Sequence, residues 1–199
     1  MKKTPKSPLI KITTSQVSKA IKKSKNSKAL GPDDISPIML KHLGPYGIKH
    51  LTHLFNNVVN TATVPSLWKI ARIIPLLKPG KPADKGSSFR PISLLSPLAK
   101  ILEACLLPTI SDSADLASHQ HGFRKSRSTT TALQNISNKI TSGLNQSKPV
   151  DRTVAVAIDL SKAFDTVNHE ILLTEIYNLD LNGHIKRFLK SYLRGCQTF

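Results

Sequence analysis

Residues 154–173, VAVAIDLSKAFDTVNHEILL, combine a short apolar run with two aspartates. The run VAVAI consists of small and β-branched residues, which predicts a strand that is buried on both faces. Asp159 ends this strand, and Asp165 follows six residues later. Because an isolated buried charge is very costly, a carboxylate at this place has to be paired, hydrogen-bonded or bound to a metal.

Two interpretations of these aspartates compete. A carboxylate can cap the first turn of the helix that follows, and we favour this role for Asp165. For Asp159 the alternative is a ligand of Mg²⁺, an ion that prefers hard oxygen donors. Phosphoryl transfer on nucleotides commonly uses two such ions about 4 Å apart, so a single aspartate leaves the choice open.

Positive charge dominates the composition, with a formal net charge of +17 over 199 residues. Residues 1–32 contain nine lysines and no acidic residue. This excess predicts a polyanionic partner, because neutralising phosphates releases counterions and drives binding. The alternative is a basic tail without a specific role. The hydrophobic fraction of 39% is sufficient for a folded core.

The cysteines and histidines show no metal-binding spacing. The two cysteines cannot form a four-ligand zinc site without histidines, and Cys105 fits the apolar stripe of a helix. We interpret His119 and His121 as polar loop residues. The composition indicates a reducing, intracellular environment, in the cytoplasm, the nucleus or both. No apolar run reaches the ~18 residues of a membrane span, and we expect no signal peptide and no membrane partner.

A β-hairpin is predicted between two short apolar segments, residues 70–77 and 89–95. Pro75 places the first strand at an edge or a bulge. The connecting loop is basic and rich in Gly and Pro. A solvated loop and a phosphate grip are about equally supported by the cations on or near this hairpin, which are Arg72, Lys78, Lys81, Lys85 and Arg90.

Helices account for most of the remaining pattern. Ser-Pro pairs start two of them, at residues 36–37 and 96–97, and we expect Pro108 to end the second. Ser128 can cap a helix that runs to about residue 144. A further helix follows Asp165, and the last helix ends at Gly195.

Five segments occur in an order that closely resembles the reverse transcriptase of non-LTR retrotransposons of the jockey-like kind. The resemblance covers residues 28–199. A group II intron maturase would share the polymerase fold, but the segments KPGK, FRPISLLS and AFDTVNHEILL have jockey-like sequences, which argues against a maturase. The five segments are KALGPDDISPIMLK (28–41), VPSLWKIARIIPLLKPGK (64–81), FRPISLLSPLAKILE (89–103), HGFRKSRSTTTAL (121–133) and AIDLSKAFDTVNHEILL (157–173).

The resemblance implies an α+β fold, the fingers and partial palm of a right-hand polymerase, rich in helices and with a fingers β-hairpin. It divides the chain into a basic, flexible extension over residues 1–27, a fingers region over 28–135 and the start of the palm over 136–199. The implied activity is RNA-directed DNA polymerisation, in which a primer 3′-hydroxyl attacks a deoxynucleoside triphosphate.

The resemblance also implies roles for individual residues. Asp159 matches the catalytic, metal-binding aspartate of the palm, with Mg²⁺ as the ion and Mn²⁺ as an alternative, and the backbone carbonyl of Leu160 is an additional ligand. Phe164 matches the bulky gate that blocks a ribose 2′-hydroxyl, although an ordinary core aromatic is the other interpretation. Lys78 and Arg90 are similar to residues that hold the incoming triphosphate.

Nucleic-acid contacts follow from the same resemblance, with template RNA and primer DNA as partners. They are assigned to Arg72, Lys81, Arg124 and Arg127. A rival hypothesis from another class is a non-catalytic basic fragment of a decayed or repurposed element that binds RNA through charge alone.

Two departures from the family pattern stand out. The family usually has Pro-Gly-Pro-Asp-Gly where this chain has LGPDD, so that Asp34 replaces a glycine and strains the turn if a positive φ is required. The family's aromatic-x-Asp-Asp hairpin does not occur in these 199 residues. We therefore expect the chain alone to be inactive and to need the missing C-terminal half of the polymerase as a partner.

Overall fold

A computed structural model describes residues 7–146, 152–160 and 163–198. The chain forms two compact units, the first made of residues up to 114 and from 168 onward, the second of residues 115–167. The elements are α1 (Thr14–Lys23), α2 (Pro37–Lys41), α3 (Pro45–Thr61), β1 (Ile70–Leu77), β2 (Phe89–Leu94), α4 (Pro97–Ser113), α5 (Thr129–Leu144), α6 (His169–Asn178), α7 (Gly183–Leu193) and β3 (Gln197–Thr198), with 3₁₀ turns at Ser66–Lys69 and Gly86–Ser88.

Four helices provide large, fully buried side chains at the centre of the first unit's hydrophobic core. Val17 of α1, Phe55 of α3, Leu102 of α4 and Ile185 of α7 are all fully buried. Phe55 packs edge-on against Trp68, with ring centroids 6.0 Å apart. Burying one such side chain contributes roughly 1.5–3 kcal/mol, so these four positions hold together helices from both ends of the chain.

The interpretation of residues 1–27 as a flexible extension is wrong for the part from residue 12 to residue 23. Thr13 caps α1, and the apolar stripe of Ile12, Val17 and Ile21 is buried in the core. The lysines obscured this stripe in the composition, because they lie on the other face of an amphipathic helix. Residues 1–6 lie outside the described residues.

Residues 7–12, which we call the N-terminal strap, are fastened by asparagine side chains. The amide of Asn56 accepts from the backbone N–H of Ile12 at 2.7 Å and donates to its carbonyl at 2.9 Å. Asn60, one turn further along α3, makes the same pair of bonds with Ile10, both at 2.8 Å. At the other end of the strap, Ser7 Oγ accepts from the N–H of Gly183 at 3.2 Å. The strap thus pairs its backbone with side chains instead of a neighbouring strand.

The predicted hairpin is confirmed. Strands β1 and β2 pair antiparallel, and Pro75 lies opposite Pro91. Because Lys78 and Ser88 form a hydrogen-bonded pair, the two prolines, three steps away, form a non-hydrogen-bonded pair and remove no bond from the ladder. The short strand β3 adds to β1 in parallel through Ile70 and Ala71. We did not predict β3, because two residues are too few to show an alternating pattern.

Helix α4 continues past Pro108, which we expected to end it. Proline lacks the N–H that would bond to the carbonyl of residue 104, but Ala104 and Pro108 are both exposed, so that water can solvate this carbonyl. Cys105 is buried as expected, and burial raises the pKa of its thiol to about 11.

Helix caps agree with the sequence at four positions and differ at one. Ser36, Ser96 and Ser128 cap α2, α4 and α5, and Gly195 follows α7 with a φ of +71°. Asp165 does not cap α6. Asn168 does so, accepting from the N–H groups of Glu170 and Ile171 at 2.9 and 3.2 Å, because a cap has to precede the first helical residue directly. Within the described ranges, no helix is both long enough and apolar enough to cross a membrane.

Candidate functional site

One face of the hairpin carries three of the predicted binding residues. The register pairs Arg72 with Leu94, Ile74 with Ile92, and Leu76 with Arg90. The N–H of Lys78 donates to the carbonyl of Ser88 at 2.8 Å, so the pairing continues one step further. Since side chains alternate between the faces of a strand, Arg72, Lys78 and Arg90 lie on the same face, the last two as diagonal neighbours.

The tip of the hairpin is shaped by a tight turn. Lys81 N–H donates to the carbonyl of Lys78 at 3.2 Å, and Gly80 has a φ of +70°. Proline at the second position and a positive φ at the third are the features of a type II turn. Lys78 Nζ also donates to the carbonyl of Ser87 at 2.7 Å, which restricts this ammonium at the neck of the loop.

A second turn, residues 31–34, packs beside the base of the hairpin. Its closing bond runs from the N–H of Asp34 to the carbonyl of Gly31, at 3.2 Å. A Cβ on Gly31 would come within 3.0 Å of the Leu95 carbonyl and the Ser96 nitrogen. Ser96 is fully buried, and its hydroxyl donates to the carboxylate of Asp33 at 2.5 Å. This serine–aspartate contact joins the turn to the start of α4.

Asp34, which stands where the family usually has glycine, has a φ of +52°. The strain that we expected from this departure is therefore present. The carboxylate forms an ion pair with Arg72 at 3.8 Å, and the side chains of Asp34 and Arg72 are 76% and 41% exposed. An exposed pair of this length contributes little to stability.

We expect Asp34→Gly to stabilise the first unit. Glycine adopts a positive φ without a steric penalty, and the gain, after the entropy of the unfolded chain is counted, is about 0.5–1 kcal/mol. Urea denaturation followed by circular dichroism measures it. Asp34→Asn, which tolerates this backbone better than most residues, is the matched control and should change the midpoint less. An unchanged or lower midpoint for Asp34→Gly would contradict the assignment of strain.

The second unit holds the other predicted binding residues. The guanidinium of Arg124 donates to the carbonyls of Leu116 and Ala117 at 3.2 and 2.8 Å, so it orders its own loop. Arg127 is exposed. His121 forms a hydrogen bond with Thr131 at 2.9 Å, which agrees with its interpretation as a polar loop residue.

Residues 154–158 were predicted as a buried strand, and this prediction is wrong for the structure described here. They belong to no strand, and Val154, Val156 and Ile158 are each about four-fifths exposed, at 83%, 79% and 86%. A strand needs a ladder partner and a covering layer, and the described residues provide neither for this segment. The alternation of apolar residues indicates what the segment can form but not what it pairs with.

The metal site that we predicted at Asp159 is not assembled by the described residues. They contain no group of three or more histidine, cysteine, aspartate or glutamate side chains that could hold an ion. Asp159 and the carbonyl of Leu160 would provide two oxygens, whereas Mg²⁺ requires six in octahedral geometry. These two oxygens are of the kind that Mg²⁺ takes from a protein, and its remaining ligands are commonly waters and substrate phosphates.

Phe164, the predicted gate, contacts a residue that we did not single out. Its ring lies edge-on to that of Phe123, with centroids 6.2 Å apart and planes at 89°. Phe123 has a φ of +58°, which is unusual for a bulky side chain. The sequence signal that could have singled out Phe123 was its position directly after Gly122 in a basic loop.

Comparison with known proteins places these observations in a family. Residues 78–199, more than half of the chain, match the model of reverse transcriptase (RNA-dependent DNA polymerase). In Drosophila melanogaster, similar proteins are the probable RNA-directed DNA polymerase from transposon BS (32% identical, over 94% of this chain and 20% of that protein), the one from transposon X-element (31%, over 94% and 21%) and the RNA-directed DNA polymerase from mobile element jockey (31%, over 83% and 18%).

The chain spans about a fifth of the length of these curated relatives. The basic hairpin and the first part of the matched region lie in the first unit, and Asp159 and Phe164 lie in the second. All three relatives are polymerases of mobile elements. This chain belongs to the reverse transcriptase family and is related to the RNA-directed DNA polymerases of non-LTR retrotransposons, jockey among them.

Proposed function

We propose that this chain provides the fingers, residues 28–135, and the first part of the palm, residues 136–199, of an RNA-directed DNA polymerase of a jockey-like retrotransposon. Its substrates are template RNA, a DNA primer and deoxynucleoside triphosphates. The observation that carries the proposal is the face shared by Arg72, Lys78 and Arg90 within a chain of this family.

The hairpin face supports triphosphate binding. Lys78 and Arg90 are diagonal neighbours on one side of an antiparallel pair, at a spacing that long side chains can bridge. Arginine and lysine both bind phosphate oxygens, and arginine can do so through two parallel hydrogen bonds, that is, in a bidentate manner. Arg72 at the base and Lys81 at the tip extend this positive surface for the nucleic-acid backbone, and the exposed Arg127 adds a contact in the second unit.

In this proposal Asp159 and the Leu160 carbonyl would hold Mg²⁺ or Mn²⁺, with further ligands from polypeptide beyond these 199 residues, from water and from the substrate phosphates. The chemistry that such an ion would supply is activation of the primer hydroxyl and stabilisation of negative charge on the phosphates. Phe164, supported by Phe123, limits the space beside the sugar of the incoming nucleotide. The chain by itself is then inactive, and primer extension above a mock preparation would overturn that part of the proposal.

A chimera tests the function directly. Residues 28–199 replace the matching segment of the transposon BS polymerase, and the product, called the chimera below, is assayed for primer extension on an RNA template. In an active chimera, Lys78→Ala and Arg90→Ala should each raise KM for the triphosphate by about tenfold, since each removes a charge-assisted hydrogen bond. Lys85→Ala, an exposed cation of the same loop, is the matched control and should leave KM within about twofold.

The rival function, binding of RNA by charge alone, is favoured by one observation, which is the net charge of +17. The two functions differ in the same assay. Unchanged KM values for both hairpin variants in an active chimera would remove the argument for triphosphate binding and leave the rival.

A further inference from the structure

A cavity of about 420 Å³ lies between the end of α1, the loop that follows it and the start of α4. Its volume falls within the range of about 300–1,000 Å³ that small-molecule sites occupy. Its walls are apolar and include Leu94, Leu95, Pro97 and Ile101. None of the residues assigned to the hairpin face lines it.

Three lysines line this cavity: Lys23, Lys25 and Lys100. No acidic residue lines it. All three are exposed. Neither of the two ion pairs found within the described ranges includes them. Their ammonium groups therefore provide positive charge at the rim of an apolar pocket without a carboxylate to neutralise it.

The cavity is formed by ordered parts of the fold. The loop between α1 and α2 is held by a hydrogen bond from Lys41 Nζ to Asn26 Oδ1 at 2.7 Å. On the other side, the first five residues of the 17-residue helix α4 contribute Pro97, Lys100 and Ile101. The positive end of this helix dipole adds to the field of the lysines.

We propose that this cavity binds a nucleotide unit, with the base against the apolar wall and the phosphate at Lys25, Lys100 and Lys23. Flat apolar groups attached to phosphate are the chemistry that matches such walls with such a rim. The unit could belong to a single strand or be a free nucleotide. The proposal does not depend on polymerase chemistry, because it rests on the cavity alone.

The test is the affinity of the 199-residue chain for a fluorescein-labelled decauridylate RNA, measured by anisotropy without divalent metal. Lys25→Gln with Lys100→Gln should weaken binding by about tenfold or more and reduce the slope of log K against log salt by about two. The matched control, Lys49→Gln with Lys139→Gln, removes two exposed charges elsewhere and should weaken binding by no more than about threefold. Equal losses in the two double variants would overturn the proposal.

A second variant tests the apolar wall without changing charge. Ala29→Trp fills the cavity, and it should weaken binding by about tenfold, whereas Asn57→Trp on the exposed face of α3 should not. Cross-linking of 5-iodouridine in the RNA should map to residues 24–29 or 94–101. Cross-links confined to other segments, or equal competition by polyglutamate and by RNA, would overturn the proposal.

Competition by uridine monophosphate distinguishes the two sources of the ligand. If the mononucleotide displaces the RNA from the wild-type chain but not from Ala29→Trp, the site accepts a free nucleotide. If only oligonucleotides compete, and the lysine and tryptophan variants still bind weakly, the site accepts a unit of a strand. These results do not involve nucleotide incorporation, so a failure of the polymerase proposal would leave them unaffected.

Discussion

Asp159→Ala is expected to abolish primer extension by the chimera, with a loss on the order of 10³-fold or more. The carboxylate is the only acidic side chain of the segment 152–160 that the structure describes, and it is exposed beside the predicted second ligand, the Leu160 carbonyl. In the proposed site the substitution would remove a negatively charged metal ligand, and because Asp159 is exposed no packed contact should be disturbed. The fold should therefore be unaffected.

The matched control for Asp159→Ala is Asp112→Ala. Asp112 is an exposed aspartate near the end of α4, and its loss should leave extension within about twofold of the unmodified chimera, as for most surface substitutions. RNA affinity should be nearly equal in both variants. If Asp159→Ala retains most of the extension activity, the assignment of Asp159 as a metal ligand is wrong, and charge alone would be left to explain the function.

Asn56→Asp is expected to lower the free energy of unfolding of the first unit by about 2–4 kcal/mol. The amide nitrogen of Asn56 donates to the carbonyls of Ile12 and Thr52, both at 2.9 Å. The substitution replaces this donor with a carboxylate oxygen that faces two carbonyl oxygens. Because Ile12 is buried, its carbonyl cannot regain the lost hydrogen bond from water without opening the strap.

Asn57→Asp is the matched control, since it makes the same chemical change on the exposed face of the same helix. Its effect on urea denaturation should stay within about 0.5 kcal/mol. Limited trypsinolysis gives an independent measurement, because release of the strap should make the bond after the exposed Lys11 more susceptible. Coincident denaturation curves and equal cleavage rates for the two variants would show that the strap does not stabilise the unit.

Local sequence signals were sufficient for the hairpin and for most helices. Strand β1 and the turn at Gly80 follow from an apolar run that is bounded by Pro and Gly, and once the register is known, Lys78 and Arg90 necessarily share a face. The strain at Asp34 was predicted from the loss of one glycine. These features depend on residues that are near one another in the sequence.

The features that we could not predict depend on distant partners. Asn56 and Ile12 are 44 positions apart, and a side chain that pairs with a backbone leaves no periodic pattern. The segment at residues 154–158 has the composition of a strand, but its ladder partner is not among the described residues. The assignment of Asp159 as a metal ligand likewise stays a prediction from the family resemblance, because the other ligands are not among the described residues.

The contact between Ser7 and Gly183 has a consequence for synthesis on the ribosome. The two residues are 176 positions apart, and at about 5–20 residues per second roughly 10–35 s separate their appearance. Until residue 185 has been synthesised, Val17 and Phe55 lack the side chain of Ile185, which completes their core. The nascent chain therefore exposes apolar surface until α7 has emerged, and a chaperone that binds the early helices would act in this period.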